Sequence, residues 1–127
     1  MLYVLESTKS VEQVGKALEE AVARHKFGVL QVHDLRASMA KKGVEFAREC
    51  RIYEICNPHQ AKRVLEQDME VSTVLPCRIS VYTDQEGTKL ATVRPAAMIG
   101  MFGKPALQPV AEEVERTVIA IMREAAA

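Results

Sequence analysis

Residues 78–94 constrain the fold of this chain more than any other stretch. Arg78-Ile79-Ser80-Val81-Tyr82 alternates apolar and polar side chains, which places Ile79 and Val81 on one face of a strand. Asp84-Gln85-Glu86-Gly87 supplies a turn, with Gly87 free to take a positive φ. Lys89-Leu90-Ala91-Thr92-Val93-Arg94 returns as the partner strand, and Pro95 ends it. Such a pair is antiparallel, so a doubly wound parallel sheet is excluded at this point. The alternation also predicts one covered sheet face and one that is wetter or meets a partner.

The rest of the chain fits around that hairpin. Leu2-Tyr3-Val4-Leu5 reads as a first strand, ended by Ser7-Thr8. Ser10 and Gln13 have the spacing of a capping box. Val11, Val14, Leu18, Ala21 and Val22 follow at helical spacing, with Glu12, Lys16, Glu20 and Arg24 set for i,i+4 pairs on the far side. Gly28 is expected to close this helix. Residues 27–33 and 51–56 read as further strands, and 34–43 as a short helix or an ordered loop. A second helix starts at Pro58. Residues 107–125 carry the stripe Val110, Val114, Val118, Ile121 and Met122, which predicts a helix about 28 Å long at 1.5 Å per residue.

These elements predict one α+β domain over residues 1–127. Its order is β-α-β-β-(short α)-β-β-α, with a curved, mainly antiparallel sheet and two long helices packed on one face. A chain of 127 residues can bury a substantial core. Seventeen basic residues balance seventeen acidic ones. That balance argues against nucleic acid and anionic membrane as partners, and it lowers the self-repulsion that opposes association. No stretch approaches the roughly 20 apolar residues of a membrane span. The first residues do not have the pattern of a secretory signal. Three cysteines, an odd number, do not suggest a disulfide framework and are read as reduced thiols in the cytoplasm.

Chemistry concentrates at Ile55-Cys56-Asn57-Pro58-His59-Gln60-Ala61. Asn is a preferred N-cap and Pro suits the first helical position. Cys56 then lies beside the positive end of a helix, where a thiolate is favoured. Cys56 and His59 are accordingly the candidate catalytic residues, as nucleophile and as base or charge partner. The same pair supplies two ligands toward a metal or haem, with Cys77 as a third and His33 as a fourth. Cys50 and Cys77 otherwise read as structural. His33-Asp34 can be a proton-transfer pair, or a strand end whose Asp34 caps the next turn. Met98, Ile99, Met101 and Phe102 lie in a frame of two glycines and two prolines. They are a candidate lid, dimer contact or ligand-binding surface, with Met98, Met101 and Phe102 as the ligand-binding residues. The glycines fit neither phosphate-loop spacing.

The runs Arg51-Ile-Tyr-Glu-Ile-Cys-Asn-Pro-His-Gln-Ala-Lys62, Leu75-Pro-Cys-Arg-Ile-Ser-Val-Tyr82 and Arg94-Pro-Ala-Ala-Met98 resemble the domain of unknown function family numbered 302, over nearly the whole chain. The resemblance implies a sheet with two helices packed on it, similar to the TATA-binding-protein-like fold class, and a homodimer. It implies no particular activity or cofactor, and a shared fold class transfers no DNA binding. The expected function is a homodimeric cytoplasmic module that binds a small apolar or amphipathic ligand between the sheet and residues 98–102. The alternatives are a thiol-dependent enzyme or redox protein using Cys56 and His59, and metal or haem binding through Cys56, His59 and Cys77.

Overall fold

The computed structural model describes residues 1–127. In chain order the elements are β1 (Leu2–Ser7), α1 (Val11–Arg24), β2 (Gly28–Asp34), α2 (Leu35–Lys41), β3 (Cys50–Cys56), α3 (Pro58–Gln67), β4 (Cys77–Asp84), β5 (Gly87–Val93), α4 (Pro95–Gly100) and α5 (Gln108–Ala126). Short 3-10 stretches at Met69–Val74 and Pro105–Leu107 join α3 to β4 and α4 to α5. The fold is α+β, as expected.

The five strands form one sheet in the order β1-β5-β4-β3-β2, with every neighbouring pair antiparallel. The β4–β5 hairpin pairs Val81 with Leu90 and closes at Asp84 opposite Gly87, whose φ is +124°. β1 and β2 are the two edges, so α1 carries the chain across the whole sheet.

Strand period decides which residues enter the core. Tyr53 and Ile55 on β3, Ile79 and Val81 on β4, and Leu90 on β5 share one face and are buried. The apolar stripes of α1 and α5 pack over that face and against each other. Each large aliphatic side chain buried there contributes roughly 1.5–3 kcal/mol before chain entropy is counted. Gly15 lets α1 approach closely: a Cβ at this position would stand 2.1 Å from the hydroxyl of Tyr53. The opposite face is not covered by α1 or α5. Leu2 and Val4 stay 61% and 44% exposed there, while Glu54 lies 3.2 Å from both His33 Nε2 and Arg78 Nε.

The capping box of α1 forms in both directions between Ser10 and Gln13. Its end differs from expectation. The left-handed residue is Lys26, at φ +62°, rather than Gly28. Phe27 N–H donates to Val22 O and Lys26 N–H to Ala23 O, the bond pair of a Schellman ending. The expected i,i+4 pairs of α1 do not close; Arg24 instead reaches Glu124 on α5 at 3.0 Å. Residues 34–43 contain a true helix, capped by Asp34 Oδ1 accepting from Ala37 N–H. Residues 95–100 form another, α4, held by Glu115, which accepts from Ala96 N–H and pairs with Arg94. The loop after it is anchored by Lys104 on Asp68 at 3.2 Å.

Candidate functional site

An apolar cleft forms where the first turns of α3 meet the start of β4. Several local signals build it. Asn57 Oδ1 accepts from the N–H groups of His59 (2.9 Å) and Gln60 (3.1 Å), which starts α3 and fixes its first turn. Asn57 Nδ2 donates to Lys26 O, joining this helix start to the end of α1. The Schellman ending then aims Phe27 inward. Ile99 of α4 and Val114 of α5 close the opposite wall.

Twelve residues line the cleft, nine of them apolar. Ile55, Val64 and Leu75 join Phe27, Ile99 and Val114. The open space, mouth included, is about 350 Å³, but the centre of a water molecule can occupy only about 30 Å³ of it. As it stands, the interior admits a slender group.

Gln60 supplies the polarity. It is 9% exposed and lines the cleft. Its Nε2 donates to Glu113 Oε1 at 3.0 Å, and Arg63 donates to the same carboxylate at 3.1 Å. Those bonds, with that of Gln60 the stronger influence, hold the Glu113 carboxyl below the ordinary carboxylate range. Gln60 Oε1 is buried and has no hydrogen-bond partner. Gln60 shares the apolar stripe of α3 with Val64, and a polar residue at that helical spacing is the sequence signal that identifies it.

Cys56 and Cys77 both line the cleft. They sit on adjacent strands, where Cys77 is paired with Ile55. The helix start was expected to lower the Cys56 thiol, but burial pushes it up. Burial, followed by the nearness of Cys56, pushes the Cys77 thiol up to about 11. At neutral pH both are therefore thiols, poor as nucleophiles and as ligands. His59 is exposed and lies outside the cleft. His33 is on the sheet face away from α1 and α5, beside Glu54, and Asp34 caps α2. Only the two thiols meet, and no group of three or more His, Cys, Asp or Glu side chains is gathered for a metal ion. Of the 98–102 segment, Ile99 reaches the cleft; Met101 is 67% exposed, Met98 is half-buried, and Phe102 packs on the margin of the core. No helix is long and apolar enough to cross a membrane.

Fold and cleft together define an α+β module with one helix-covered sheet face and a small apolar site at its rim. The chain belongs to the family described as domain of unknown function DUF302, whose profile matches residues 3–125. It is similar to the crystal structure of the uncharacterized conserved protein DUF302 from Bacillus stearothermophilus, with 30% identity and a TM-score of 0.92, covering 98% of this chain and 97% of that one. No curated protein matches the chain.

Proposed function

We propose that this protein is a binding module for a small, largely apolar ligand held in the cleft between α3, α4, α5 and the ends of β3 and β4. The observation that carries this reading is the apolar lining of a cleft placed where helix starts and strand ends converge, with one polar group inside it. The site lies behind Ile99 rather than on Met98, Met101 and Phe102. Met98 shares α4 with Ile99, and Met101 and Phe102 follow directly after it, so the three flank the wall that Ile99 forms. The thiol-dependent alternative gains nothing here, because both thiols are held protonated. All three cysteines are free, which suits the reducing cytoplasm.

Dissolved xenon tests the reading, because dry apolar cavities take it up. In NMR spectra of the full chain, xenon is expected to shift the methyl signals of Ile55, Val64, Ile99 and Val114 in a saturable way. Shifts that are absent, or spread evenly over surface methyls, would overturn the assignment.

A further inference from the structure

We infer that the cleft selects neutral ligands that bring one hydrogen-bond donor on a slender apolar body, as an aliphatic alcohol does, over isomers that can only accept. This rests on the cleft being a ligand site and names the chemistry of what enters it. The unpartnered Gln60 Oε1 is the observation behind it.

The orientation of that amide is fixed by its neighbours. Glu113 is held as a carboxylate and can only accept, so the Gln60 NH₂ must face it. A flipped amide would set its oxygen against a negative charge. The acceptor end is therefore the end left without a partner. Asn57, the other amide in the lining, is already committed: its oxygen serves two N–H groups and its nitrogen serves Lys26 O. Neither thiol bonds to Gln60, and both remain weak donors in their protonated form. Gln60 Oε1 is the strong hydrogen-bonding atom that remains.

One free acceptor in an apolar lining discriminates among guests. Gln60 Oε1 is closed off as the lining stands, so a donor meets it only where the wall gives way; a water admitted there would find one strong partner where it needs two to four. An ammonium ion would lose its hydration for a single bond, since Glu113 lies outside the lining. An ether or ketone would leave Oε1 orphaned and add an acceptor beside it. A neutral O–H or N–H satisfies Oε1 while its hydrocarbon part covers the remaining wall.

The isomers 1-butanol and methyl propyl ether share one formula and differ in the donor. Titrated into the full chain and followed by the Gln60 side-chain amide signals and the methyls of Ile55, Val64 and Ile99, 1-butanol is expected to bind roughly tenfold more tightly, about 1.4 kcal/mol. Gln60→Met keeps the length of the side chain without the acceptor and is expected to bring the two isomers to within about twofold. Equal binding to the unaltered protein overturns the donor preference while leaving the cleft a binding site. A preference that survives in Gln60→Met also overturns it. If neither isomer nor xenon moves these signals, the binding reading itself falls, and this inference falls with it.

Discussion

Cys77 shows how one buried atom can report on the whole fold. In the unfolded chain its thiol ionises near the ordinary value of 9.0, and in the folded protein only near about 11. Between those values the unfolded state has lost a proton that the native state keeps, so stability falls as pH rises through this window. Below pH 9 both states are protonated and the group has no effect. The full loss is on the order of 2–3 kcal/mol. Urea unfolding at pH 8 and pH 11 should show a larger alkaline loss for the unaltered protein than for Cys77→Ala, by about that amount; equal losses would mean the thiol is not held protonated. Cys56 is the residue whose character was hardest to read from the chain. The Asn-Pro signal beside it was local and correct, but burial beside β4, about twenty positions along the chain, reverses the expected direction of its ionisation. Gln60 was legible in retrospect as a polar interruption of a helical stripe. Its orphaned oxygen was not, because that depends on Glu113, fifty-three positions along the chain.

Among the elements, α3 depends most on a single side chain. Asn57 satisfies two N–H groups of its first turn and also holds the end of α1. Asn57→Ala should cost about 1–2 kcal/mol, and hydrogen exchange should show the His59 and Gln60 amides losing protection ahead of the rest of the helix. Unchanged protection at those amides would assign the first turn to packing instead. Elements with local signals were read well: the capping box, the Asn-Pro start, the Gly87 turn and the long C-terminal stripe all formed. Elements without them were not. α4 is a six-residue helix ending at a glycine, and it persists because Glu115, Arg94 and the Lys104–Asp68 pair hold its surroundings. The end of α1 falls on a lysine in the left-handed region, a position where composition favours glycine and here points two residues too far.

At the scale of the molecule, the two helical stripes and the hairpin were enough to place both long helices over one sheet face. Strand order was beyond reach, because nothing local says that β1 sits beside β5. The sheet face away from α1 and α5 carries Leu2 and Val4 exposed, on a chain whose net charge is zero. We propose this surface as the place where two copies pair, in line with the homodimer implied by the family resemblance. Sedimentation velocity should then show a dimer that Val4→Lys shifts to monomer by at least tenfold in dissociation constant, without loss of the folded spectrum; an unaltered protein that sediments as a monomer at high concentration would refute the pairing.

The sheet order has a further consequence for how the polypeptide matures on the ribosome. Leu2 on β1 pairs with Val93 on β5. β1 therefore cannot dock until the roughly eighty residues between it and β5 have followed it out of the exit tunnel. The meander from β2 to β5 joins strands adjacent in translation and can assemble first, with non-local closure left to the last step. Throughout that interval β1 has no partner strand, and its apolar side chains stay uncovered.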